Sequence, residues 1–223
     1  MIISHSQQFI FLANRKTAST SVGITFSSAC NKRDVITPLR QDESIRRELG
    51  YLAPRNYIPL KNIPSYILLR LQRKLYGRNI SDALKKIGLH THITPTRTLN
   101  YLPQKTWDSY FKFCFVRNPW DLVISKYFWV IRNDPNPISL DAYINSSKIK
   151  SVAKRSREMY TINDDIALNR ICIYENIQAE VNQIFEELRL PGEPKLPNAK
   201  RQFRSDRRHY RDVLNDNQAA KIA

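Results

Sequence analysis

The sequence predicts an α/β fold: one domain over residues 1–223, built as a central parallel β-sheet flanked by helices. Two observations carry that prediction. Apolar runs of strand length alternate with segments of helical period along the chain. Two of those runs, near residues 8–13 and 111–116, each break into a short polar turn and restart as a helix, as expected where anions bind at the C-terminal ends of parallel strands. The 223 residues suffice for a sheet covered on both sides, and 42% hydrophobic with 25% charged residues is an ordinary globular composition.

Taken in order, Phe9-Ile10-Phe11-Leu12 reads as a buried strand, and a helix follows over residues 19–30. Asp34-Val35-Ile36-Thr37 suggests a second strand, and residues 41–50 a polar helix. Residues 51–63 hold Pro54 and Pro59 among aromatics and read as an ordered loop. Over residues 64–76, Ile67, Leu68, Leu71 and Leu75 share one helical face with Arg70, Arg73 and Lys74 opposite; the stripe is expected to be core or lid. A short helix over 80–88 ends at Gly88, and Thr94-Pro95 opens another through about residue 101. The strand at 111–116 leads into a helix from about Trp120, and Ser139 starts a further one. Residues 148–162 read as a basic surface loop, 171–174 as a buried strand, 176–189 as an amphipathic helix and 216–223 as a terminal helix.

Charge is the compositional outlier. Lys and Arg number 36 against 20 Asp and Glu, a net +16, which favours an anionic partner such as a nucleotide, an acidic glycan, anionic lipid or nucleic acid. Cys30, Cys114 and Cys172 sit in or beside apolar runs without a C-x-x-C pair, so neither a zinc site nor a disulfide framework is indicated, and no metal is expected. No segment reaches the length of a membrane span, and the N-terminus lacks a basic region followed by a long apolar stretch.

The chemistry concentrates in the two strand–loop–helix units. In the first, QQFIFLANRKTASTS, the turn Asn14-Arg15-Lys16-Thr17 precedes Ser19-Thr20-Ser21, where the first helical N–H groups lack partners and the dipole's positive end faces the loop. Lys16 and the hydroxyls there suit a phosphate or sulfate. A Walker A loop would need G-x-x-x-x-G-K-S/T, and no glycine stands in this one, so a nucleoside triphosphatase or nucleotide kinase is disfavoured. In the second, YFKFCFVRNPWDLVISKYFW, Arg117 leaves the strand as a fork donor, Pro119 suits the first helical position and Asp121 the first turn. Ser125 lies eight residues beyond Arg117.

Together these segments resemble the two cofactor-binding motifs of the sulfotransferase superfamily, in its carbohydrate and small bacterial branch: a 5′-phosphosulfate loop around Lys16 and a 3′-phosphate motif, FVRNPWDRxxSxY, around Arg117 and Ser125. His92 stands in a segment similar to the family's HxTxxxL stretch. Ile173-Tyr174-Glu175-Asn176 resembles its RYENL strand end, and Leu196-Pro197-Asn198 with Tyr210-Arg211-Asp212 its C-terminal portion. The likeness covers residues 8–30 and 88–215. Arg15 replaces the usual Pro and Leu122 the usual Arg.

The resemblance implies a P-loop-like sulfotransferase fold. It also implies transfer of a sulfuryl group from 3′-phosphoadenosine 5′-phosphosulfate (PAPS) to an acceptor hydroxyl on a glycan or glycoconjugate, leaving 3′-phosphoadenosine 5′-phosphate (PAP). Arg15, Lys16, Thr17, Ala18, Ser19, Thr20 and Ser21 would hold the 5′ end, Arg117 and Ser125 the 3′-phosphate, and Lys200, Arg201 and Arg204 would close over it. Lys16 and His92 would be catalytic, with His90 in reserve as the base. Residues 31–87, which match nothing in the family, are the expected source of acceptor specificity. The missing anchor implies a cytoplasmic bacterial relative.

Competing readings stay open. Lys16 can be a solvated loop lysine, Arg117 an ion-pair partner of Asp121, and the basic C-terminal cluster a solvated tail. Glu175 reads as a loop tether. A basic protein binding nucleic acid or another polyanion would explain the charge but not the ordered pair of anion loops, and no specific nucleic-acid signature is present. A relative that binds the cofactor without turnover is the remaining alternative.

Overall fold

The computed structural model describes residues 1–39, 42–197, 206 and 208–223. It shows an α/β protein whose five-stranded sheet runs in the order β3-β1-β2-β4-β7, where β1 is Ile2–Ser4, β2 Phe9–Leu12, β3 Val35–Ile36, β4 Phe111–Val116 and β7 Arg170–Ile173. Strands β2, β4 and β7 are parallel. β1 is antiparallel to both β2 and β3, so the sheet is mixed and the expected all-parallel sheet is corrected. The cause is local. β1 reaches β2 through a tight turn in which Gln8 is left-handed at φ 54°, and a turn that short can join only antiparallel neighbours. Asp34 holds the turn, accepting from the His5 and Ser6 N–H groups and from the Ser4 and Ser6 hydroxyls.

Alternation along the strands sorts the core. Phe9, Phe11, Phe113 and Phe115 point to one face, where Phe26 of α1 (Ser19–Ser27) and Phe185 of α10 (Ile177–Glu187) meet them. Ile10, Leu12 and Cys114 point to the other face, against Leu89, Ile93, Leu102 and Trp107. There α5 (Pro95–Thr98) and α6 (Gln104–Ser109) lead into β4. Trp107 and Tyr110 also offer their carbonyls to the buried Lys112 Nζ, at 2.8 and 2.7 Å.

A third cluster joins α7 (Pro119–Ile131) to α8 (Leu140–Ile144) and to the C-terminal α11 (Tyr210–Val213) and α12 (Asp216–Ile222). Trp120 stacks on Tyr210 there and donates from Nε1 to the Ala219 carbonyl. A small hairpin, β5 (Thr161–Ile162) with β6 (Asp165–Ile166), stands apart from the main sheet.

Two further expectations are corrected. Residues 148–162 are not a loop: Lys148–Arg157 forms α9. Its Ile149, Val152 and Ser156 recur at helical spacing, and Ile149 packs on the third cluster, which holds this basic segment as a helix. Between β3 and α5 lie α2 (Glu43–Glu48), α3 (Ile63–Tyr76) and α4 (Ser81–Ile87). α3 has no buried residue. The stripe expected to be core faces solvent, with Ile67, Leu68, Leu71 and Leu75 at 53, 57, 48 and 68% exposure.

Candidate functional site

Parallel pairing of β2 with β4 sets two strand–loop–helix units side by side, their loops at the same sheet edge. The first loop runs from Ala13 to Ala18 and makes a sharp turn without glycine: Lys16 and Ala18 are both left-handed, at φ 64° and 50°. Non-glycine residues in that region cost about 1–3 kcal/mol each and persist where surrounding contacts hold them. Those contacts are visible. Thr17 is buried and donates its hydroxyl to the Asn14 carbonyl at 3.1 Å. The buried Asn14 donates from Nδ2 to Ser156 Oγ of α9 at 3.1 Å, and its Oδ1 accepts from the Arg15 N–H. Arg117 donates from Nη1 to the Lys16 carbonyl at 3.0 Å.

α1 begins directly after this loop. Its N-cap, Ala18, has no side chain to accept from the first turn, while the Ala18 carbonyl takes the Val22 N–H at 3.1 Å. The N-terminal turn therefore presents N–H groups and the hydroxyls of Ser19, Thr20 and Ser21 without a competing cap. Lys16 lies with Nζ 4.8 Å from the centre of the Trp129 ring.

The second unit is more tightly tied. Asn118 caps α7 by accepting from the Trp120 N–H at 3.1 Å, and its own N–H donates to Glu175 Oε1 at 2.9 Å, so Glu175 does act as a loop tether. Arg117 donates from Nε and Nη2 to one oxygen of Asp121, at 2.9 and 2.6 Å, and lies over the Tyr174 ring at 4.2 Å. The ion pair that the sequence left as the plainer reading of Arg117 is thus present. Of its five N–H donors, three are used in these bonds and two remain. Ser125 is buried one turn beyond Asp121 on the same side of α7, and Arg117 makes no bond to it.

His92 reaches the loop from the opposite side: its Nδ1 lies 2.6 Å from the Ala13 carbonyl. A carbonyl only accepts, so Nδ1 carries the hydrogen and Nε2 is left as the acceptor. Burial first, then Arg15, pushes its pKa down to about 3, against a rise from the Ala13 bond. His90 is pushed down to about 4, by burial and then Arg97 and Lys85, and its Nε2 is buried without a hydrogen-bond partner among the described residues. Both rings are neutral at pH 7.

Beside the loop opens a cavity of about 220 Å³ between the loop, α7 and α9. Its wall carries Arg15, Lys16, Lys126, Lys148 and Arg155, and among the described residues no carboxylate lines it. Desolvation, then Arg15, Arg155 and Arg132, lowers the Lys126 pKa. Burial and the neighbouring positive charges both disfavour the charged form of Lys126, and an entering anion offsets part of that cost.

Arg15 to Ser21, His92 and Arg117 are thereby brought around one loop. Lys200, Arg201 and Arg204 lie outside the described residues. Sequence reasoning missed Lys126 and the α9 contributors Lys148, Arg155 and Ser156. The helical spacing of Ile149, Val152 and Ser156 was the available signal, hidden by the basic residues between them. Among the described residues no cluster of His, Cys, Asp or Glu could hold a metal ion, and no helix is long and apolar enough to cross a membrane.

Comparison with known proteins adds little. The chain is 29% identical over 96 residues to an uncharacterized protein of the archaeon Archaeoglobus fulgidus, a match that spans 42% of this chain and 80% of that protein. No family model matches the chain, and no solved structure does either.

Proposed function

We propose that this protein is a sulfotransferase that moves a sulfuryl group from PAPS to an acceptor hydroxyl, most readily one on a carbohydrate. The observation that carries this reading is the bond from Arg117 Nη1 to the Lys16 carbonyl, which ties the two anion-type loops, in the order of the sulfotransferase motifs, into one site. The residues present fit the group. The α1 N-terminus has no side-chain cap among the described residues, and the described residues lining the adjoining cavity include five cations and no carboxylate, so a ligand with several negative charges is the complementary one.

In that reading the donor supplies an activated sulfur–oxygen bond. The acceptor oxygen bonds to sulfur as the bond to the phosphate oxygen breaks, and the electron pair stays on the departing nucleotide. Lys16 offsets the negative charge growing at that oxygen. His92 is oriented by the Ala13 carbonyl with Nε2 as acceptor, the state that can take the acceptor's proton. A pKa near 3 makes a weak base, but negative charge beside Arg15 cancels part of what depresses it and shifts it upward. Arg117 has two N–H groups left for the 3′-phosphate, and the Ser125 hydroxyl stands on α7 one turn beyond Asp121.

Calorimetric titration with PAP, 5′-AMP and ATP tests the reading. Micromolar binding of PAP with a clear preference over AMP is expected; equal affinity for PAP and AMP would remove the 3′-phosphate site and the sulfotransferase reading with it.

A further inference from the structure

We propose that the outward face of α3 docks on an anionic lipid bilayer. α3 is turned apolar side out. With about 100° between successive residues, Ile67, Leu71, Leu75 and Leu68 fall within one arc of about 100°, and all four are exposed. The half-buried residues are Tyr66 and Leu69, on the opposite side, and Gln72, and the Tyr66 hydroxyl lies 3.3 Å from that of Tyr57. Leu60, in the turn before the helix, and Tyr76, at its end, are exposed as well, at 84 and 69%. Contiguous apolar exposure of this kind marks a contact surface.

Charge selects the partner. Arg70 and Lys74, expected from the sequence to lie opposite the stripe, stand one turn apart along one border of the apolar arc; Arg73 falls on the opposite side, and Lys61 and Arg78 are exposed beyond the helix ends. From Leu49 to Ser81 the chain contains no Asp or Glu. An apolar stripe bordered by cations, on a segment without Asp or Glu, matches a surface that offers acyl chains beneath a layer of negative headgroups. The geometry fits lying on that surface rather than crossing it: 14 residues at about 1.5 Å each span roughly 21 Å, short of a hydrocarbon core of about 30 Å. The inference is independent of the sulfotransferase reading, because none of these residues lines the loop or its cavity.

The test is flotation of the full chain with large unilamellar vesicles of phosphatidylcholine, alone or mixed with phosphatidylglycerol, at about 0.15 M salt. Binding to the mixed vesicles only is expected. Ile67→Ser/Leu71→Ser, at exposed positions and without change of charge, should weaken it at least about tenfold. Arg70→Gln/Lys74→Gln should weaken it about 25-fold, at about fivefold per charge, whereas Lys154→Gln/Arg157→Gln on α9 should leave it nearly unchanged. Unaltered binding by the apolar double variant would overturn the proposal, since net charge alone would then be responsible. Equal binding to neutral vesicles would also overturn it. So would a concentration-dependent dimer, seen by sedimentation, that Ile67→Ser/Leu71→Ser dissolves while vesicles are ignored.

Discussion

Removing Arg117 should separate its two partners, the protein and the ligand. The Arg117 side chain is 9% exposed and that of Asp121 18%, so this pair is largely withdrawn from solvent. Arg117→Ala deletes the two bonds to Asp121 and the bond to the Lys16 carbonyl. Breaking a fully buried pair costs about 3–5 kcal/mol; allowing for the residual exposure, a loss of roughly 1–3 kcal/mol is expected. For the ligand, losing one charged hydrogen bond of about 1.5–3 kcal/mol weakens PAP roughly 10- to 100-fold. AMP, which has no 3′-phosphate, should lose far less. Asp121→Asn keeps a hydrogen-bond acceptor but removes a negative charge that competes for the same guanidinium, so PAP should bind roughly tenfold tighter. Urea melts report the stability change, and calorimetry on each folded variant reports affinity. Should PAP and AMP weaken equally in Arg117→Ala while Asp121→Asn changes neither, Arg117 is only a strand-end ion pair.

Three further outcomes follow from the site. The pKa values of His90 and His92 fall from 6.5 to about 4 and about 3 on folding, so the unfolded chain binds the extra protons. Their contribution is complete above pH 6.5 and declines as pH falls toward 4, by about 2–3 kcal/mol per histidine; His90→Leu should flatten that decline in urea melts across pH. Lys126→Ala/Arg155→Ala relieves repulsion in the cavity, so the variant should be as stable as the parent or more so, while the rise in melting temperature that sulfate gives the parent should shrink. Ala18→Gly removes a left-handed alanine at φ 50° and should add about 0.5–1 kcal/mol to stability after the flexibility of glycine is counted; a loss in a thermal melt would show that the alanine methyl packs.

Legibility in the sequence followed how much each residue's fate depended on neighbours near in the chain. The strand Phe111–Val116 and the capped start of α7 were readable because the apolar run, Asn118 and Pro119 act within a few residues. The loop around Lys16 was readable as a strand end turning into a helix start for the same reason. β1 was not, because three residues, Ile2–Ser4, carry no period of their own and acquire strand form only by pairing with β2 and β3. The link from Asn14 to Ser156 spans 142 residues, and no local pattern predicts it.

The orientation of α3 shows where local reasoning must stop. Period 3.6 establishes that Ile67, Leu68, Leu71 and Leu75 share a face, but not which side of the helix the rest of the fold will cover. Here Tyr66 and Leu69 face inward, and Asn62 Nδ2 fastens the helix start by donating to the Ile87 carbonyl at 2.6 Å. The protein therefore holds an apolar face in water in the segment that the cofactor-type motifs leave unassigned. Hydrophobic burial is the main favourable term in folding, and a face of four large aliphatic side chains left outside forgoes it. This exposed stripe and the cation-lined cavity lie on different elements and call for different chemistry. An apolar contact surface bordered by cations satisfies the first, and a small multivalent anion the second. One nucleotide cannot meet both demands, so a cofactor site alone does not account for this surface.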